Sequence, residues 1–144
     1  MSFVELTSLA GLQTWVEGLI PKLGAKRLIL LSGPMGSGKT EFVRALARAT
    51  GIRGVSSPTY AIHQRYLGQG LTLDHVDLYR LNDGIDLESS GFWDLFFLES
   101  GLIVVEWADR LDNQAWPKDW PKWQIRFELM KNGNRLVHME IMSP

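Results

Sequence analysis

Apolar residues fall into blocks whose spacing changes along the chain. Residues 28–31 form a continuous apolar run, the pattern of a strand buried on both faces. The run breaks into Gly33-Pro34-Met35-Gly36-Ser37-Gly38-Lys39-Thr40, and helical spacing then resumes through Phe42, Val43 and Leu46. The prediction is a strand, a glycine-rich loop, and a helix from Lys39 to about Thr50 that Gly51 ends. Upstream, residues 3–6 predict a short strand. Leu9, Leu12, Val16, Leu19, Ile20 and Leu23 recur at steps of three and four, predicting a helix capped by Thr7 or Ser8. Pro21 ends or kinks that helix, and Gly24 turns the chain toward the strand.

Downstream, a strand is expected over 61–67 and another over 71–80, with acidic residues at or near its C-terminal end. Residues 87–97 predict a helix with a strongly apolar side, broken by Gly91. The run Leu102-Ile103-Val104-Val105 closes on Glu106, as expected of a buried central strand delivering a carboxylate. Residues 116–123 carry Pro117 and Pro121 and read as a loop. Strict alternation over 123–129 and again over 135–141, around Asn132-Gly133, predicts an antiparallel hairpin that extends or flanks the sheet without evident chemistry of its own.

The chain has 144 residues, 45% of them apolar, and a chain this long buries about 70% of its unfolded surface. A single domain over 1–144 is expected. With 15 basic and 16 acidic residues the net charge is -1, so no bulk basic field drives autonomous DNA or RNA binding. The absence of cysteine excludes a disulfide framework, a thiolate zinc site and a cysteine nucleophile. No apolar run approaches the ~18 residues of a membrane span, and the N-terminus lacks the form of a secretory signal. A soluble, cytoplasmic protein is expected.

The loop fits G-x-x-x-x-G-K-[ST], in which successive backbone N–H groups converge on phosphate oxygens and a Cβ at the glycines would obstruct the approach. The following helix adds its N-terminal partial charge. Gly33, Met35, Gly36, Ser37, Gly38, Lys39, Thr40 and Glu41 are therefore the candidate nucleotide-binding residues. Lys39 would reach the β- and γ-phosphates, and the Thr40 hydroxyl would ligate Mg²⁺, a hard cation that takes oxygen donors. ATP is favoured over GTP because the sequence contains no N-K-x-D guanine-reading motif.

Three further positions are candidates for the chemistry. Thr59, in the polar stretch 53–60, would sense γ-phosphate and Mg²⁺ as nucleotide switches do, although Ser-Pro-Thr is also common turn chemistry. Asp77 would hold Mg²⁺ through water or orient the attacking water, since ligands of open α/β sheets bind off the C-terminal strand ends. Glu106 is the better metal-side carboxylate by pattern, with an exposed strand-end Glu as the alternative. His75 is expected to face the surface or pack, with no companion ligands for zinc. Arg44 and Arg48 lie one turn apart, on a helix face that reads as solvated or as a docking surface.

The set Gly33 to Thr40, Ser57-Pro58-Thr59-Tyr60, Asp77-Leu78-Tyr79-Arg80-Leu81, Leu87-Glu88 to Gly91, and Val105-Glu106-Trp107 resembles the bacterial TsaE (YjeE) family, from the first helix to the final hairpin. The resemblance implies an α/β, P-loop NTPase-like three-layer fold, with a mainly parallel central sheet flanked by antiparallel strands and a C-terminal β-hairpin. It further implies an ATP-hydrolysing subunit that acts with TsaB and TsaD in forming threonylcarbamoyladenosine in tRNA, with tRNA reached only through the complex. By this analogy Lys39 and Thr40 engage phosphate and Mg²⁺, Glu106 matches the metal-side carboxylate, Asp77 the Walker B-like aspartate, and Thr59 a switch-like loop.

The chain departs from the family pattern where Pro34 replaces an acidic residue and where Leu12 stands at the position of a base-adjacent Thr. Ala108 replaces a common Pro. A small-molecule kinase, which would transfer the γ-phosphate to an acceptor, and a non-catalytic nucleotide-gated interaction module share the same loop and stand as alternatives.

Overall fold

The structure, a computed structural model, describes residues 2–52, 63–68, 70–79, 87 and 90–144. Strand β1 (Ser2–Leu6) leads into helix α1 (Leu9–Leu19). Ser8 caps that helix, its hydroxyl accepting from Gly11 N at 3.0 Å, in the manner of an N-cap. The α-helix ends just before Pro21, as expected. A single 3₁₀ turn, Ile20–Lys22, follows with Pro21 in its first turn, where the missing N–H costs nothing.

Strand β2 (Lys26–Ser32) then enters the glycine-rich loop, and helix α2 spans Lys39–Ala49. Beyond it come β3 (His63–Gly68), β4 (Leu71–Asp77), β5 (Gly101–Glu106), β6 (Lys122–Leu129) and β7 (Arg135–Met142). The described strands form one sheet in the order β1-β7-β6-β2-β5-β4-β3. The four central strands β6, β2, β5 and β4 run parallel. Antiparallel pairs flank them, β3 on β4 at one edge and β7 and β1 beyond β6 at the other. The last two strands form the expected hairpin.

Alternation along the central strands sorts side chains into two cores, as the period of two requires. Ile29, Leu31, Leu102, Val104 and Leu73 face α1 and α2. Leu28, Leu30, Ile103, Val105 and Val76 face the opposite layer. Among the described residues that layer contains no long helix. The helix expected over 87–97 appears only as a 3₁₀ segment, Phe92–Phe97, entered through Gly91 at φ 81°, and residues 88–89 lie outside the described residues. A left-handed glycine at that point prevents one continuous α-helix from passing through it.

Aromatic rings supply the missing bulk. Trp116 and Trp120, in the stretch that reads as a loop, are buried. Trp120 donates from Nε1 to Phe96 O at 3.1 Å, and Phe92 meets Trp116 edge-on at 6.1 Å between centroids. Such rings bury a large area per residue, so a short turn and a loop cover the sheet face that a helix would otherwise cover.

At the β3 edge, Asp74 is fully buried, accepting from Arg65 Nε at 2.8 Å and contacting His63 Nε2 at 2.7 Å. Burial alone would raise its pKa, but these hydrogen bonds and the Arg65 charge hold the carboxyl below the usual carboxylate range. No helix among the described residues is long and apolar enough to cross a membrane.

Candidate functional site

The site lies at the C-terminal ends of β2, β5 and β4, where ligands of open α/β sheets bind. Parallel register creates it. Leu31 sits opposite Glu106, and Asp77 sits opposite Glu106 on the other side, so the root of the glycine loop and both carboxylates stand side by side on adjacent strands. All three project toward the helix face of the sheet, because residues an even number apart along a strand share a face.

Gly33, Gly36 and Gly38 adopt φ of 140°, 76° and 118°, a region that residues with a Cβ rarely enter. Gly33 has a second constraint. A Cβ there would lie 2.6 Å from the backbone O of Phe127 and 2.8 Å from Ser37 Oγ. Gly38 ends the loop as the N-cap of α2 without a side-chain cap bond, and the N-terminal end of a helix suits an anion. The Ser37 hydroxyl is buried without a hydrogen-bond partner among the described residues.

Lys39 is 5% exposed. Its ammonium donates to Gly33 O and, at 2.9 Å, to Pro34 O, and it stands 4.0 Å above the centroid of the Trp107 ring. Burial pushes its pKa down, opposed by the charges of Glu106, Asp109 and Asp77. The lysine is thus folded onto the carbonyls of its own loop. Trp107 reaches it because the chain turns left-handed immediately after β5, at φ 58°. Arg110 stacks 5.3 Å from Trp107 and 5.5 Å from Tyr79, closing the rim with aromatic faces that favour cations.

The acidic side is tightly bonded. Thr40 Oγ1 donates to Glu106 Oε1 at 2.7 Å, and His75 Nε2 lies 2.5 Å from Glu106 Oε2. His75 is fully buried, the second of its two expected placements, and the β4–β5 register also brings its ring to a carboxylate. Asp77 Oδ1 accepts from Tyr79 N at 3.0 Å. Burial raises the Asp77 pKa above the usual carboxylate range and nearby Glu106 adds to the rise, while the Tyr79 N–H, His75 and Lys39 oppose it. Met35 is 65% exposed at the mouth, and Glu41 pairs with Arg44 at 2.5 Å. Arg48 is exposed and donates to Gln13 Oε1 at 3.0 Å. Thr59 and Arg80 lie outside the described residues.

Gly36, Gly38, Lys39, Tyr79 and Trp107 line a cleft of about 600 Å³. Thr40, Glu106 and Asp77 stand on its polar side, and Leu6, Leu9 and Leu12 from β1 and α1 on its apolar side. Among the described residues no cluster of three or more His, Cys, Asp or Glu can hold a metal on its own. A hydroxyl and two carboxylates instead match Mg²⁺, which takes one or two carboxylates and completes its shell with phosphate and water. The glycine cradle and the partnerless Ser37 hydroxyl fit a phosphate chain beside it.

The C-terminal hairpin has a part in the loop that its sequence does not suggest. Arg135 donates from Nε to Ser37 O at 3.0 Å and from Nη2 to Gly36 O at 3.1 Å. Because the peptide unit is planar and trans, carbonyls turned toward Arg135 send the following N–H groups, Ser37 and Gly38, away from it. Arg135→Ala should therefore weaken nucleotide binding by roughly 5- to 30-fold, the loss of one or two hydrogen bonds of about 1 kcal/mol each. The loss should be equal with and without Mg²⁺ in a fluorescent-nucleotide titration, because the loop and not the cation side is disturbed.

The family model described as Threonylcarbamoyl adenosine biosynthesis protein TsaE matches residues 6–137. Proteins named tRNA threonylcarbamoyladenosine biosynthesis protein TsaE are similar to this chain in several bacteria. The Synechocystis sp. protein is 36% identical over 110 residues, covering 74% of this chain and 69% of that protein. The Streptomyces coelicolor protein is 43% identical over 90 residues, covering 60% of each. The Borreliella burgdorferi protein is 37% identical over 113 residues, covering 78% of this chain and 80% of that one. The crystal structure of Bacillus subtilis YdiB superposes with a TM-score of 0.71 at 22% identity, covering 99% of this chain and 86% of YdiB, a likeness of P-loop-type fold.

Proposed function

Because this chain belongs to the TsaE family, whose members serve tRNA threonylcarbamoyladenosine biosynthesis, we propose that it is a Mg²⁺-dependent P-loop ATPase working as the ATP-hydrolysing subunit beside TsaB and TsaD. The observation that carries the ATPase reading is the 2.7 Å bond from Thr40 Oγ1 to Glu106 Oε1. It ties the first turn of α2, where the loop ends, to the carboxylate of the neighbouring parallel strand.

In this reading the loop N–H groups and the head of α2 receive the phosphates, with the bound Mg²⁺ neutralising charge on their oxygens. Lys39 exchanges the Gly33 and Pro34 carbonyls for phosphate oxygens. Thr40, its proton given to Glu106, presents oxygen lone pairs to the cation. Asp77, one strand further, is placed to position water. The apolar wall of Leu6, Leu9 and Leu12 gives the base a surface to lie against. Partners enter because the chain offers no evident arginine finger in its sequence, and a finger supplied in trans raises rates by about 10³ to 10⁵. The low net charge supports contact with tRNA through the complex, with no DNA and no membrane involved.

Titrating a fluorescent ATP analogue with and without Mg²⁺ tests the site. Glu106→Ala should weaken Mg²⁺-dependent binding about 10-fold or more, the usual cost of losing a metal-supporting group, while Mg²⁺-free binding stays within about twofold. An equal loss in both conditions contradicts the cation-side role.

A further inference from the structure

Resting on the reading that this cleft takes nucleotide with Mg²⁺, we propose that His75 is a positioning residue for the cation: its imidazole holds one oxygen of Glu106 so that the other stays on the Thr40 hydroxyl. His75 lies in the middle of β4, opposite Val104, and its ring reaches diagonally to Glu106, two residues further along β5. It is fully buried and Glu106 is 2% exposed. Groups so far from water need partners, because a buried polar atom left unpaired loses its water without replacement.

The chain of bonds has a definite direction. A carboxylate carries no hydrogen, so with Glu106 ionised the donor in the His75 contact is Nε2–H. The second ring nitrogen, Nδ1, is buried and has no hydrogen-bond partner among the described residues. A bare lone pair there is less costly than an unpaired N–H, which places the ring hydrogen on Nε2. Its single hydrogen bond goes to Glu106. Glu106 in turn accepts from Thr40 through its other oxygen. A hydroxyl has one proton, and once that proton is committed the Thr40 oxygen can act toward any further group only as an acceptor, the role a cation ligand requires.

Without His75, Oε2 of Glu106 would be left unpaired in a dry site. The carboxylate would turn to recover a partner, and Oε1 would leave Thr40. His75 thereby acts on the cation at one remove, through Glu106 and then Thr40, as outer-shell partners do when they orient a ligand.

Two variants separate this role from mere packing. In His75→Gln the amide nitrogen falls near the place of Nε2 and can still donate to Glu106. In His75→Asn it falls near Nδ1 and cannot reach. Both replacements are polar and smaller than the ring, so a packing defect would affect them alike.

With a fluorescent ADP analogue titrated against Mg²⁺, His75→Asn should raise the Mg²⁺ concentration for half-maximal effect about 10-fold or more. His75→Gln should restore most of the wild-type value. Mg²⁺-free nucleotide affinity should be unchanged in both. Equal behaviour of Asn and Gln, or equal loss with and without Mg²⁺, overturns the proposal. Wild-type protein supplies an independent check: ¹⁵N NMR of the histidine ring should show Nε2 protonated and Nδ1 bare, and the opposite tautomer overturns it. If Mg²⁺ has no effect on nucleotide binding by the wild type, the nucleotide reading falls and this inference falls with it. A wild-type Mg²⁺ effect that His75→Asn leaves intact removes this inference alone.

Discussion

Lys39→Ala should abolish measurable ATP turnover and weaken ATP binding about 100-fold or more, while leaving the thermal midpoint of the nucleotide-free protein almost unchanged. The two halves of that expectation have different origins. The ammonium donates to Gly33 O and Pro34 O and lies over Trp107, and burial already works against its charge. Removing it relieves that desolvation and costs two hydrogen bonds of about 1 kcal/mol net each, so the terms nearly cancel. With triphosphate bound, the same ammonium would make charge-assisted bonds to the oxygens that gain charge during transfer. One such donor is worth roughly 10²–10³ in rate. A calorimetric scan beside a phosphate-release assay checks both halves, and a large fall in stability would show that the lysine is chiefly structural.

Gly33→Ala should fail differently, losing stability and binding together. The residue would have to hold φ 140°, and its Cβ would sit 2.6 Å from the backbone O of Phe127. That oxygen belongs to β6, which pairs with β2 on one side and β7 on the other, so it cannot swing aside as a flexible side chain does. Backbone strain of about 1–3 kcal/mol adds to an overpacking cost of about 1–3 kcal/mol. That sum is a large part of a typical stability of 5–15 kcal/mol. Gly51→Ala is the control: its φ is 81° but nothing lies within 4 Å of the added Cβ, so it should carry strain alone. Urea unfolding of the two variants should place Gly33→Ala well below Gly51→Ala. Equal midpoints would mean that the loop yields without cost.

The contrast between these glycines also shows how far the sequence could be read. The glycine loop, the helix behind it and the acid at the end of β5 were legible because each is a local pattern, within a run of about ten residues. The insertion of β6 between β2 and β7 was not, since parallel pairing between strands some ninety residues apart leaves no mark in local spacing. Two functional contacts depended on it. Arg135 reaches the loop from β7, and Phe127 sets the limit on Gly33 from β6, although the hairpin reads as plain alternation.

The partner of His75 is hidden in the sequence for a related reason. Between Asp74 and Val76 it is one polar residue in a strand, and only the β4–β5 register reveals the carboxylate that it meets. The break at Gly91 is legible in the helix expected over 87–97, but the 3₁₀ form of Phe92–Phe97 beyond it is not, since apolar spacing does not separate the two helix types over six residues. Trp107 has no role legible in the sequence; its left-handed turn brings its ring over Lys39. Thr59 lies outside the described residues, and its switch role stays a proposal.

Phosphate release from ATP by the purified protein, alone and then with its cognate TsaB and TsaD, with and without tRNA, tests the central claim most directly, with Lys39→Ala as the blank. The account predicts slow turnover alone and clear stimulation in the presence of the partners, all of it lost in the blank. Full-speed hydrolysis alone, or tight nucleotide binding that the partners leave inert, would contradict a partner-controlled ATPase and turn attention to an acceptor screen for a kinase.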